Sequence, residues 1–323
     1  MGAKIRYDGV NRNNKYCKDE LFKHFEFVSL YPEVGIGLHI TRETIRLIGD
    51  IANPKAFQSK DSSEDYTQQL AAHAAENHDR LGNLSGYIVC QASSSCGIER
   101  VKVFNDKGQT ENKGVGIFTA RLKTLYSNLS IEENGRLNDP LLRDSFIKRV
   151  YIYDELLSLV KNGLSVDKLL KFHSKHKMLL LAHCQPIYRE LGPLVAPTTI
   201  QNLIEQSVLY VSSFMKALSF DSTRSNNTNV LMHIQGHLKE HLNKENKAEL
   251  RQCIMDYNEG MQPILGPITM LKHHFKNNPS SWIADQSYFD PYPKPKVMAL
   301  RVRFKVLVLA PLNQYFVSVG QSK

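Results

Sequence analysis

The residues best suited to chemistry stand in two short stretches of the N-terminal third. Ser93-Ser94-Ser95-Cys96-Gly97 places a thiol in a small, hydroxyl-rich loop after an apolar run. An accessible cysteine in such a loop, with backbone N–H groups to stabilise a thiolate, suits a nucleophile or a ligand of a metal or cluster. The same residues also read as a plain Ser/Gly turn that happens to contain a cysteine. Tyr31-Pro32-Glu33 is followed by Gly35, Gly37, Arg42, Glu43 and Arg46. Pro and Gly allow a sharp turn there, and a carboxylate at a strand end can act as acid or base. Taken alone, it is a turn with a solvated glutamate.

The second half holds a different set. Eight of the twelve histidines lie between positions 173 and 274. His173, His176 and His183 fall within about 80° of one another on a helix. His233, His237 and His241 form an i, i+4, i+8 stripe, and His273-His274 adds a pair. Facing stripes in a bundle can hold a metal, but exposed polar faces give the same pattern. Neither Glu-x-x-His in these helices nor His-Glu-x-x-His is present, which argues against di-iron carboxylate and zincin sites. Phe172, Lys175, Lys177, Tyr188, Arg189, Arg224, Lys272 and Phe275 mix cations with aromatics. Such a mix suits phosphate or a stacked base, or simply a solvated helix face.

Those residues need elements to hold them. Phe25–Leu30 and Ser85–Gln91 read as buried strands, with Val101–Phe104 a shorter one. Asp65–Arg80 and Val115–Leu125 read as helices. Strand, helix, strand in this rhythm predicts a small parallel α/β layer. Sites in such sheets form in the loops after strand C-termini, which is where Tyr31 and Ala92 begin. From 140 to 290 the period is helical: Pro140–Lys161, Val166–Leu181, Thr198–Ala217, Val230–Tyr257 and Met261–Lys276, with Pro186 and Gly192-Pro193 as breaks. The expected architecture is an α/β domain over 1–130, a linker over 131–139, an all-α bundle over 140–295 and a tail over 296–323. In that tail Leu300, Val302, Phe304 and Val306 alternate with cations, so it reads as strand-like or disordered.

Composition bounds the function. With 323 residues, 42% hydrophobic and 23% charged, the chain is long and apolar enough for two folded domains and is not a disordered polymer. Its net charge of +9 invites a nucleic-acid partner. Six of those charges, however, belong to Lys294, Lys296, Arg301, Arg303, Lys305 and Lys323, so residues 1–293 are nearly balanced. Five scattered cysteines imply no disulfide framework. Lys4, Arg6 and Asp8 interrupt the N-terminus before any apolar run, and no run approaches a membrane span, so the expected location is cytoplasmic with no membrane partner.

Several separated motifs now align with known families. Ile5-Arg6-Tyr7-Asp8-Gly9, Pro32-Glu33-Val34-x-Ile36-Gly37-Leu38, Arg42-Glu43-Thr44-Ile45-Arg46-Leu47, Ser93-x-Ser95-Cys96-Gly97 and Gly114-x-Gly116-Ile117-Phe118 resemble the thiouracil desulfidase-like family. Arg136-Leu137-Asn138-Asp139-Pro140, Phe172-His173-x-x-His176-Lys177, Leu181-Ala182-His183, Thr228-Asn229-Val230-Leu231 and Leu271-Lys272-His273-His274-Phe275 resemble the YbgA-like helical domain of unknown function. The first resemblance implies a 4Fe-4S cluster held by three cysteines, whose open iron takes sulfur from a thiolated nucleobase. It assigns catalysis to Glu33 and Ser93, and substrate or phosphate contacts to Arg6, Asp8, Arg42 and Ser95. Of the three ligand positions, Cys96 matches, Tyr31 stands in place of a second cysteine, and the third falls upstream of Met1 together with the sheet's first strand. One thiolate does not hold a cubane, and a phenolate is a poor substitute for a soft ligand.

The expectation is therefore a cluster-deficient relative of desulfidases acting on thiolated nucleobases or nucleotides, with sulfur removal left open. The alternative is a non-catalytic module that binds a nucleotide, RNA or a partner. For the helical domain the candidate site is His173, His176, Lys177, His183, Arg224 and His273.

Overall fold

The computed structural model describes residues 21, 25–77, 81–197, 199–291 and 305–308. Arg6, Asp8, Cys17 and most of the tail lie outside these residues. The chain divides into two compact units, Met1–Asp154 with Pro295–Lys323, and Glu155–Lys294.

The first unit is α/β. Its central sheet joins β1 (Glu26–Ser29), β4 (Gly86–Val89), β7 (Ser130–Glu133) and β8 (Lys305–Val308) in the order β1-β8-β4-β7, all parallel. Strand β4 is apolar throughout because both its faces are covered. Tyr87 and Val89 pack with Leu30, Cys96, Phe118 and Leu122, whereas Ile88 packs with Phe25, Phe146 and Val150 on the opposite side. A second, mixed sheet has the order β3-β2-β5-β6, from β2 (Ile45–Ile48), β3 (Lys55–Gln58), β5 (Val101–Phe104) and β6 (Thr110–Gly114). Leu47, Ala56, Val101 and Val103 from this sheet pack against Tyr66, Leu70 and Ile117.

Most helices of the first unit are short. Helix α1 (Pro32–Gly35) follows β1 after Tyr31. Helix α2 (Thr67–Glu76) buries Leu70 and Ala74, and α3 (Ile117–Leu125) buries Ile117, Phe118 and Leu122. Helix α4 (Pro140–Lys161) begins in this unit, where Phe146 and Val150 cover the sheet. The stretch 131–139 holds the last three residues of β7 and a short 3-10 turn, Arg136–Asn138. In the tail, Lys305–Val308 form a strand that runs between β1 and β4, whereas Leu300, Val302 and Phe304 lie outside the described residues.

The second unit is all-α. After α4 come α5 (Val166–His183), α6 (Gln185–Val195), α7 (Leu203–Leu218), α8 (Arg224–Gly236), α9 (Lys244–Glu259), α10 (Leu265–Asn277) and α11 (Ser281–Ala284). Side chains cap three of them at the N-terminus: Ser165 accepts from Lys168 N–H, Thr223 from Asn226 N–H and Asn243 from Asn246 N–H. Phe172, Tyr210, Phe214, Leu231, Ile254 and Leu271 are buried at its centre. Among the described residues no helix is long and apolar enough to cross a membrane.

Candidate functional site

The parallel sheet delivers two loops to one edge, because parallel strands all end on the same side. From the end of β1 comes Tyr31-Pro32-Glu33, with Glu33 in the single turn of α1. From the end of β4 comes 90–97, which turns at Ala92, a non-glycine residue in the left-handed region (φ 55°). Helix α3 then fixes this second loop. Its leading amides would otherwise lack acceptors; instead Ile117 N–H donates to the Ser94 carbonyl (3.2 Å) and Phe118 N–H to the Ser95 carbonyl (2.9 Å). Gly116 N–H donates to the Gly97 carbonyl (2.8 Å), and Thr119 Oγ1 donates to the Cys96 carbonyl (2.7 Å).

Within this frame the predicted residues meet. Ser95 Oγ donates to the Glu33 carboxylate, shares a hydrogen bond with Ser93 Oγ at 2.9 Å and lies 3.1 Å from Cys96 Sγ. Arg42 Nη2 is 3.9 Å from the other Glu33 oxygen, while its Nη1 donates to the His39 carbonyl. Ser94 Oγ donates to the Ile45 carbonyl on β2. Ser93, Ser95, Cys96, Glu33 and Arg42 thus form one cluster, and Tyr31 borders it in the chain.

Cys96 corrects one expectation. It is 2% exposed rather than accessible. Burial pushes its thiol well above the ordinary value, and the Glu33 charge adds to that, outweighing hydrogen bonds from Ser95 and Ser93. A thiol so held is a weak nucleophile and a weak ligand.

Sequence reasoning missed the other side of this edge. Glu133, at the end of β7, is buried and accepts the Ile98 N–H at 3.0 Å. Burial raises its carboxyl in spite of amide bonds from Ile98 and Glu99. Arg136 joins Glu132 (2.7 Å) to Glu99 (2.5 Å). These residues brace the segment after Gly97. The available signal is a carboxylate pair at a strand end, which the polar sequence over 131–139 disguises as a linker.

The helical unit does not gather its six candidates at one point. His176 is buried: Nε2–H donates to Glu155 (3.3 Å), so Nδ1 accepts from Ser287 Oγ (2.7 Å). Glu155 also takes Lys175 Nζ at 2.8 and 2.9 Å. His173 meets Tyr210 OH at 3.3 Å. His183 Nδ1–H donates to the Phe220 carbonyl at 2.6 Å. Arg224 donates to the Tyr257 carbonyl and lies over the Tyr257 ring. His273 lies beside His274, ring centroids 5.7 Å apart. Lys177 is the exception, with its ammonium 4.6 Å from the centre of the Trp282 ring.

Comparison with known proteins gives these two units relatives. Residues 1–134 match the family model of 2-thiouracil desulfurase, and residues 177–293 match that of a protein of unknown function (DUF1722). The uncharacterized protein YbgA of Escherichia coli (strain K12) is 37% identical over 152 residues, 47% of this chain and 90% of that protein. The chain belongs to the YbgA family. No solved structure matches it at a significant level.

The match of residues 1–134 to the desulfurase model is compatible with an iron–sulfur cofactor, so the fit of such a cofactor can be tested on the residues present. Two of the positions to which the resemblance assigns cluster ligands fall within the described residues. One is Cys96, a buried neutral thiol, and the other is Tyr31. Among the described residues no three His, Cys, Asp or Glu side chains are placed to hold a metal ion. This donor set does not fit a cubane, which needs soft thiolates on several irons.

The histidines of the helical unit make its stability acid-sensitive. Burial, with the nearby Lys177 charge, lowers His173 to about 4. Unfolded, it takes a proton near pH 6.5, whereas folded it refuses one until about 4. Its contribution is therefore complete above 6.5 and lost as pH falls toward 4. Glu155, held at about 2 by His176 and Lys175 against the opposing effect of burial, acts in the same direction below pH 4.5. We expect a loss of about 1 kcal/mol between pH 7 and 5, discounted for partial exposure. Thermal melts across that range should fall with acid, and His173→Gln should flatten the fall. Equal slopes in both proteins would refute it.

Proposed function

We infer that the N-terminal unit is a cluster-deficient relative of the 2-thiouracil desulfurases that binds a thiolated nucleobase without removing its sulfur. The observation that carries this reading is the hydrogen-bonded chain Glu33–Ser95–Ser93 at the edge where β1 and β4 end. A thiolated pyrimidine offers ring N–H donors beside C=S and C=O acceptors. A carboxylate matches the donors, and a serine hydroxyl or the Arg42 guanidinium matches the acceptors. Glu33 and Ser93 are the partly exposed ends of the chain, and buried Ser95 links them. Cys96 packs beneath as a neutral thiol.

Calorimetric titration with 2-thiouracil, using uracil as the comparison, tests this. Binding should favour the thiolated base and release no sulfide. Glu33→Gln keeps a hydrogen-bond acceptor for Ser95 but removes the charge, and should weaken binding about tenfold, or about 1.4 kcal/mol. Absence of binding by the parent protein would overturn the reading. So would stoichiometric iron and acid-labile sulfide in anaerobically prepared protein together with sulfide release, which would make the unit a sulfur-removing enzyme.

A further inference from the structure

A second cluster lies wholly in the helical unit. Two elements, α5 and α8, converge on Trp282 of α11. Lys177 of α5 places its ammonium 4.6 Å from the indole centre. His237, which caps the end of α8, lies with its ring 4.4 Å from the indole and tilted by 37°. His233, one turn earlier on α8, is 5.7 Å from His237. His173 sits one turn before Lys177 on α5.

Charge is unbalanced here. Among the described residues no carboxylate pairs with Lys177, His233 or His237, and the neighbouring Glu155 is engaged by Lys175 and His176. Burial, then His233 and Lys177, lowers His237, and no acid opposes them. A half-buried ammonium facing only a ring is incompletely compensated, because a cation–π contact replaces part of its lost hydration. The adjoining imidazoles supply N–H donors that an oxyanion can accept.

We propose that Lys177 and His237, both packed on Trp282, together with His233 beside His237, bind a phosphate group, either as free inorganic phosphate or as the phosphate of a nucleotide. The ammonium supplies the charge and the two imidazoles supply directed hydrogen bonds. Trp282 holds Lys177 and His237 in place.

Trp282 is the chain's one tryptophan, so its fluorescence reports this site alone. Full-length protein is titrated separately with inorganic phosphate and with uridine 5′-monophosphate, each against chloride at matched ionic strength. A saturable change with a Kd of about 1 mM or tighter is expected. Saturation by phosphate alone identifies the free anion as sufficient. Saturation only by the monophosphate shows that the nucleoside contributes. Lys177→Met should weaken binding about tenfold and Lys177→Arg should restore it to within about threefold. A response no different from chloride with both ligands would overturn the proposal, as would unchanged affinity in folded Lys177→Met.

Discussion

Leu307→Pro is expected to dismantle the central sheet of the N-terminal unit. Leu307 lies opposite Val28 on one side and Tyr87 on the other, so β8 is an interior strand with a ladder along both edges. Proline removes a backbone donor and forces a φ that a strand does not adopt, at a cost of about 3 kcal/mol or more. That is a large share of the stability of an ordinary domain. Ending the chain at Lys294 should be harsher still. Neighbouring strands lie about 4.8 Å apart, so β1 and β4 would be left about 10 Å apart with no partner between them.

The effect reaches the site. Glu33 follows β1 and Ser95 follows β4, so β8 sets the spacing across which their hydrogen bond forms. Hydrogen exchange at the amides of Phe27, Val28, Tyr87 and Ile88 measures this directly. We expect those amides to lose protection in both variants, and 2-thiouracil binding to fall with them. Native-like protection in the truncated chain would show that β1 and β4 do not depend on β8.

Gly116→Ala is the second large effect. A Cβ there would lie 2.3 Å from Cys96 N, 2.4 Å from Ser95 C and 2.6 Å from Ser95 O. All three are backbone atoms, which cannot turn aside as a side chain can. The loop at 93–97 must therefore move away from α3, losing the bonds from Gly116, Ile117 and Phe118 that hold it. We expect a cost of about 3 kcal/mol, at the upper end for overpacking, and a fall of roughly 6–12 °C in Tm. Cys96 should also become reactive toward a maleimide, since its burial depends on the same packing. Gly108→Ala is the comparison: φ is 74° but nothing lies within 4 Å of the added carbon, so only about 1 kcal/mol of backbone strain applies. Equal melting of Gly116→Ala and the parent protein would contradict the close approach.

Patterns that act over a few residues were legible. The apolar runs at Phe25–Leu30 and Ser85–Gln91 are β1 and β4, and the helical periods at Pro140–Lys161 and Val166–Leu181 are α4 and α5. Strand β6, Thr-Glu-Asn-Lys-Gly, was not, because it is polar and its stability comes from its partner β5. Pro186 marks a real break, since α5 ends at His183 and Pro186 sits in the first turn of α6, where a missing N–H costs nothing, but Gly192-Pro193, which also reads as a break, lies inside α6. Val230–Tyr257 read as one helix. The structure stops it at Gly236 and restarts it after Asn243, whose side chain caps Asn246 N–H.

By itself the sequence determined which residue types lie after which strands, and therefore that Glu33, Ser93, Ser95 and Cys96 border one sheet edge. Only the tertiary structure decided that Ser95 is the bridge to Glu33, that Cys96 is buried and neutral, and that Lys177 meets Trp282 rather than a carboxylate. The difference is range. Hydrophobic period is written within one element, whereas a hydrogen bond between residues 33 and 95, or a strand at 305–308 paired with residues 26–29 and 86–88, depends on closing long loops. No local pattern encodes such a closure; the packing of the whole unit selects it.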